Sequence, residues 1–257
     1  MNWVQLYETL GQQLKDGVDL PWWQDAFVGI YKAFFEEGRW QLYVDGVLTT
    51  LWITAMALIL GIVLGVLVAV IRTTHDQQRL GRHNPILALL NAICKIYVTV
   101  IRGTPMMVQL LIMGFIIFKS SREYTLVGTL TLGINSGAYV AEIVRGGLMS
   151  VDMGQSEAGR SLGLNYLDTM RFIVIPQAFK NILPALGNEF ITLFKDTALI
   201  SAIGGKELVY AAKSIGSKTY DVMYPYLGIA IIYLLMVMLF TWLLGILERR
   251  LRQSDRR

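Results

Sequence analysis

Apolar residues along this chain fall into long unbroken runs rather than into the alternation of a half-buried strand. Val47 to Ile71 carries no charge; at about 1.5 Å per residue it crosses the ~30 Å hydrocarbon core of a bilayer with some tilt. Pro85 to Phe118 is apolar but too long for one straight span. It contains Lys95, Arg102 and Gly103-Thr104-Pro105, where proline disfavours helix at Thr104 and removes a backbone donor. The run predicts one long element that kinks or breaks near 103–105. Tyr124 to Ala141 is uncharged and holds Gly128, Gly133 and Gly137, the small residues of a helix packed inside a bundle. Ile182 to Ile203 is interrupted by Glu189, Lys195 and Asp196, and Tyr224 to Leu247 is the last apolar run. Five transmembrane helices are therefore expected, at about 47–71, 85–118, 124–145, 181–203 and 224–247, within an all-α membrane domain covering 41–251.

Residues 1–40 follow a different pattern. Trp3, Leu6, Tyr7, Leu10 and Leu14 keep helical spacing, as do Trp23, Phe27, Ile30, Tyr31 and Phe34 after a break at Asp19-Leu20-Pro21. Two readings stand for this amphipathic extension: helices lying at the membrane–water interface, where aromatic rings are well accommodated, or helices packed on the protein's own surface. Glu8, Asp16 and Asp19 interrupt it, so it does not read as a signal peptide.

Composition agrees with the runs. Hydrophobic residues make up 54% of the 257 and charged residues 16%, against roughly 25% charged in an ordinary soluble domain; the mean hydropathy is +0.49. The net charge of +4 sits in segments between apolar runs and reads as an orientation signal, not as a nucleic-acid surface. Arg72, Arg79, Arg82, Arg145, Arg160, Arg171 and Lys180, with the basic tail 252–257, outnumber the basic residues of the alternate segments. That places the N-terminus outside and the C-terminus in the cytosol. Cys94 has no second cysteine to pair with, and reads as a small buried hydrophobe. His75 and His83 lie in a cytosolic loop with poor spacing for a metal pair, so no metal site is expected.

The most informative segment is the polar stretch 150–176. It reads as helix, tight glycine turn, helix: Ser150 or Asp152 caps the first, Gly163 adopts the left-handed conformation that ends it, Asn165 caps the second, and Pro176 lies just past its end. Ala158 and Gly159 leave almost no side chain near the turn, which permits another protein's backbone to approach. The pattern is that of a docking hairpin.

Glu157-Ala158-Gly159, Gly163 and Ile175-Pro176 resemble the EAA loop of the permease subunits of ABC importers, with Gly159 where that family usually has alanine. Arg102-Gly-Thr-Pro105 with Gln109, Ala138 to Gly146, Pro176-Gln-Ala-Phe, Leu183-Pro184, Asn188 and Lys195 to Leu199 resemble the polar amino-acid (His/Glu/Gln/Arg-type) branch. The resemblance covers about 44–250 and is silent on 1–40. It implies a type I ABC importer permease fold in the bacterial cytoplasmic membrane. It implies a second permease subunit (identical or sister), a cytosolic ABC ATPase dimer, an extracytoplasmic amino-acid-binding protein and surrounding lipid. Glu157, Ala158, Gly159, Ser161, Leu162 and Gly163 would then couple to the ATPase. Gln109, Asn188, Glu189, Lys195 and Asp196 are candidates for the substrate pathway. Arg102, Pro105, Glu142, Arg145 and Pro176 are candidates for structural roles, with Glu142 and Arg145 spaced for a local ion pair. Lys195 and Asp196, being adjacent, need partners on other spans or a water-lined pathway.

No catalytic residue is expected, and no cofactor bound by this chain. Gly204-Gly205-Lys206 is followed by glutamate and lacks the rest of a phosphate loop, so ATP and Mg²⁺ would belong to the partner ATPase. A stand-alone secondary transporter would need no cytosolic hairpin, and the five runs show no evident inverted repeat. A membrane enzyme lacks a convincing constellation. The carried amino acid stays open among charged, amide and sulfur-containing side chains.

Overall fold

The computed structural model describes residues 2–76 and 84–254, the last three by backbone only. Arg79, Arg82 and His83, and Arg256 and Arg257 of the basic tail, lie outside the described residues. Regular structure among the described residues is helical: α1 (Trp3–Lys15), α2 (Trp22–Phe34), α3 (Trp40–Asp76), α4 (Pro85–Gly103), α5 (Met106–Ile112), α6 (Tyr124–Met149), α7 (Met153–Ser161), α8 (Tyr166–Thr169), α9 (Ile175–Asp196), α10 (Leu208–Thr219) and α11 (Met223–Ser254). A π-helical turn, Met113–Ile117, extends α5; another, Met170–Val174, joins α8 to α9; a 3-10 segment, Thr197–Ile203, extends α9.

Five lengthwise rods alternate in direction. The longest interface is between α3 and α6, which run side by side in the same sense. Gly61 of α3 sits over Ser136 and Gly65 over Val140, and a Cβ built on either would come within 2.7 and 2.6 Å of those side chains. Gly133 and Gly137 of α6 answer with the same closeness to Leu60, Leu64 and Tyr97. The Gly61/Gly65 spacing is therefore used inside the chain. Between helices in lipid no hydrophobic force operates, and such backbone approach is what holds them together.

α9 runs back along α6, with Ile182 against Gly147 at one end and Ile200 against Gly128 at the other. α11 runs back along α9, with Leu244 on Gly187 and Phe240 edge-on to Phe190 and Phe194. Ile53, Ala57, Leu110, Leu132, Leu193 and Ile200 from four of the rods close one core cluster.

The second rod breaks where glycine, threonine and proline meet. Thr104 is extended (φ −117°, ψ 144°), α4 ends there and α5 restarts after Pro105. Pro176 behaves differently from its placement by sequence. It does not lie past the end of a helix but in the first turn of α9, and Tyr166 to Asp196 is one continuous helical run. Inside a helix proline removes one donor and its ring crowds the preceding turn; the wide π turn immediately before Pro176 gives the ring room.

By length and composition, three helices among the described residues are apolar and long enough to cross a membrane: Glu36–Asp76, Pro85–Gly103 and Met223–Leu251. α6 and α9 fall short because they carry polar residues. α6 is largely enclosed by its neighbours, with Asn135, Ser136, Thr129 and Thr131 buried along it. An enclosed helix meets protein instead of lipid and has no need to be apolar throughout.

Candidate functional site: a docking hairpin and an interior polar track

At one end of the bundle, where α6 finishes and α9 begins, α7 and α8 form a hairpin. Asp152 caps α7, its Oδ1 accepting from the Gly154 amide at 2.7 Å; Ser150 instead donates to the Gly147 carbonyl. Gly163 is left-handed (φ 81°). The Leu164 amide reaches the Gly159 carbonyl at 3.1 Å and the Gly163 amide reaches Arg160 at 2.9 Å. This is a Schellman closure, which a residue with a Cβ adopts at a cost. Asn165 caps α8 through the Asp168 amide at 2.9 Å.

Gly159 is buried inside the hairpin. A Cβ there would lie 3.0 Å from Ile173 and 3.1 Å from Thr169, so its smallness serves contact between the two arms of this chain. Glu157, Ala158, Ser161, Leu162 and Gly163 are exposed. Leu162 is 81% exposed, and Met153, Leu167 and Phe172 also project uncovered from the hairpin. Partial desolvation raises the Tyr166 hydroxyl pKa above its usual value, although the ring is half exposed. The arms are tied to the bundle by Gln177 to Gln155 at 3.1 Å and Asn181 to Ser150 at 2.8 Å.

Just above the hairpin, Glu142 holds two guanidinium groups. Arg145 donates to it at 3.0 Å within α6, and Arg72 reaches it from α3. Arg72 reads as an orientation signal in the sequence; the structure adds it as an interhelical partner of the Glu142–Arg145 pair.

Midway along the bundle a polar track runs through the apolar interior. The Gln109 amide NH₂ is shared among the Ile101 carbonyl (2.8 Å), the Thr104 carbonyl (3.1 Å) and the Thr104 hydroxyl (2.9 Å), so it caps the broken end of α4. Its Oε1 accepts from Asn135 at 3.0 Å. Arg102 does not reach that break; its guanidinium lies 5.1 Å from the Tyr139 ring centre. Ser136 donates to Glu189 at 2.8 Å, joining α6 to α9. Asn188, Thr192 and Lys195 are exposed at helical spacing on one face of α9. Among the described residues Lys195 and Asp196 make no ion pair with each other or with another element.

Sequence reasoning missed Asn135 and Ser136, although they were legible as adjacent polar side chains between Gly133 and Gly137 of an uncharged run. No group of three His, Cys, Asp or Glu among the described residues is placed to hold a metal ion.

Comparison with known proteins places this geometry. Residues 84–253 match the family of binding-protein-dependent transport system inner membrane components. The glutamine transport system permease protein GlnP of Escherichia coli K12 is 33% identical over 215 residues, 82% of this chain and 93% of that one. The crystal structure of an amino acid ABC transporter with histidines superposes with a TM-score of 0.73 at 41% identity, over 82% of this chain and 94% of the other. An inward-facing form of the MetNI methionine ABC transporter superposes with a TM-score of 0.70 over 84% and 99% of the two chains; at 21% identity it speaks for the fold alone.

Proposed function

The chain belongs to the family of binding-protein-dependent transport system inner membrane components, and from that premise we propose that it is the permease subunit of an importer for a polar amino acid, driven by an ATPase on a separate chain. In this reading all five rods cross the membrane. The ends of α2 and α10 face outside, and the α7–α8 hairpin and the C-terminus face the cytosol.

One observation carries the reading. The hairpin leaves Met153, Leu162, Leu167 and Phe172 uncovered at its surface, and its second arm continues without a break into α9. A partner that grips the hairpin therefore pulls on a rod that runs the depth of the bundle. Glu157, Ala158, Ser161 and Leu162 would meet the ATPase, while Gly159 and Gly163 set the shape they meet it with. ATP and Mg²⁺ would act on that partner.

The exposed polar face of α9 supports a second permease subunit across a shared pathway, since Asn188, Thr192 and Lys195 would be costly against lipid. Glu189, Lys195 and Asp196 are the charges of that pathway, and Gln109 contributes through Asn135. Glu189 is the group best suited to a substrate ammonium. An external binding protein would deliver the amino acid.

Co-purification with a candidate ATPase, comparing wild type with Gly163→Arg and Glu157→Lys, tests the coupling. Both variants should lose the ATPase while the membrane protein stays monodisperse. Full retention in both would falsify the hairpin's role. Separately, Glu189→Gln should lower uptake by about tenfold, the equivalent of one charge-assisted contact; unchanged uptake and specificity would remove Glu189 from the pathway.

A further inference from the structure

The helices α1 and α2 lie outside the matched residues 84–253, yet they are built into the molecule. Gly29 of α2 lies against the Tyr224 ring, and Gly228 of α11 against Phe34; a Cβ on either would come within 2.0 and 2.1 Å of those rings. Phe34 stacks on Tyr43 at 4.6 Å, and Lys32 Nζ donates to the Thr219 carbonyl, at the end of α10, at 2.9 Å. Buried Arg39 pins the joint into α3, donating to the Lys32 carbonyl at 2.5 Å and to Glu36 at 2.6 Å. Tyr7 ties α1 to the same joint through Glu36 at 2.7 Å and stacks on Tyr31 at 4.4 Å. Burial, with the Glu36 carboxylate beside it, pushes the Tyr7 hydroxyl pKa upward.

A module held this firmly nevertheless leaves its largest rings uncovered. Trp22 is 82% and Trp3 70% exposed; Trp23, Ile30 and Phe35 are exposed too. Two features of the surface around it decide what covers them. Immediately after the Arg39 joint, Trp40, Val44, Leu48 and Trp52 form an exposed stripe at four-residue spacing on α3, and that stripe continues into the apolar run of the first spanning helix. An exposed apolar stripe thus leads from the joint at the base of the module along the flank of α3. The charges argue for neutral headgroups. Glu8, Asp16, Asp19, Asp25, Glu36 and Glu37 outnumber Lys15, Lys32 and Arg39, so no polybasic attraction to anionic lipid is available. Indole rings, apolar with one N–H donor, suit the headgroup boundary.

We propose that α1 and α2 are seated in the interfacial layer of the outer leaflet, with phospholipid covering Trp3, Trp22 and Trp23. The proposal rests on the reading that the chain spans the membrane with this end outside. The six tryptophans permit a test with two full-length variants in phosphatidylcholine nanodiscs. One keeps Trp3, Trp22 and Trp23, with Trp40, Trp52 and Trp242 changed to Phe. The other keeps only Trp242, an exposed residue within α11. Lipids brominated near the carbonyl end of their chains should quench more than half of the emission of the first variant, and aqueous iodide should quench little of it. Lipids brominated along the acyl chain should quench Trp242, which lies within the last apolar run. Strong iodide quenching of the first variant with no bromolipid effect, while Trp242 is quenched, overturns the proposal and leaves the spanning reading intact. A Trp242 insensitive to every bromolipid overturns the spanning reading itself.

Discussion

The two ends of this molecule each carry a pair of short helices, and the pairs join the bundle in different ways. The α7–α8 hairpin is continuous with a rod: its second arm passes through a π turn into α9 with no interruption of helix. The α1–α2 pair joins its rod through a 3-10 turn, Glu36–Gly38, in which Glu37 (φ 54°) and Gly38 (φ 70°) are both left-handed. In the proposed coupling, a push on the hairpin would pass into a continuous helix. A push on the N-terminal pair meets a non-helical joint, held by Arg39 and its hydrogen bonds and by the stacking of Phe34 on Tyr43. The exposed side chains differ in the same way. Leucine, methionine and phenylalanine on the hairpin are groups that a protein cleft can enclose, whereas tryptophan dominates the other pair. A moving coupling element needs stiffness toward the bundle, and a surface anchor needs only a fixed seat.

The contrast is sharpest at the hairpin turn. Gly163→Arg forces an L-residue into the left-handed region, a cost of about 1–2 kcal/mol, and places a charge on the docking face. ATP-dependent uptake should fall by about tenfold or more, with no change in the tryptophan emission of the N-terminal pair. A comparable change at the other end should do the reverse. Arg39→Met removes two charge-assisted bonds to Glu36 and Glu37 at 2.6 and 3.1 Å and the bond to the Lys32 carbonyl. About 2–3 kcal/mol of local stability should be lost, seen as faster amide exchange in α1 and α2, while ATPase association is retained. If Arg39→Met releases the ATPase, the two ends are not independent and the comparison fails.

The smallest effect concerns α10, the platform on which α2 rests. Glu207 caps α10, accepting from the Val209 and Tyr210 amides at 2.8 and 2.9 Å. Burial pushes its carboxyl up to about 7 from the usual 4.5, against those two amides and the Tyr233 hydroxyl, which favour the ion. The folded protein therefore binds the proton more tightly than the unfolded chain. The stability this contributes is fully present below about 4.5 and is lost as pH rises through about 7. Thermal unfolding measured across that window should show wild type gaining stability on acidification relative to Glu207→Gln. Parallel curves for the two proteins would assign the pH response to other groups.

Much of the hairpin was legible because its determinants are local. Asp152, Gly163 and Asn165 act on backbone groups within three or four residues of themselves, so type and spacing suffice to place them. Pro176 was misplaced for the complementary reason. Its effect depends on the conformation of the turn before it, and a π turn leaves no signature in residue type. Gly159 reads as room for a partner but is filled by Thr169 and Ile173 of the same chain. Gln109 reads as a pathway residue, and its amide is occupied in capping α4.

The chain's own pattern of apolar runs, broken by Thr104-Pro105 and by the polar stretch before α9, determined that it would be a helical membrane protein with a capped hairpin between two rods. Those are consequences of one-dimensional facts: hydrocarbon thickness divided by helical rise, and capping chemistry confined to neighbouring residues. Which rods touch was decided only in three dimensions. Gly61 and Gly65 meet Ser136 and Val140, Arg72 meets Glu142, and Glu189 meets Ser136, across separations of fifty residues or more. Periodicity records which face of a helix is small or polar, but a face can be satisfied by several neighbours, and only close packing of the whole bundle selects among them.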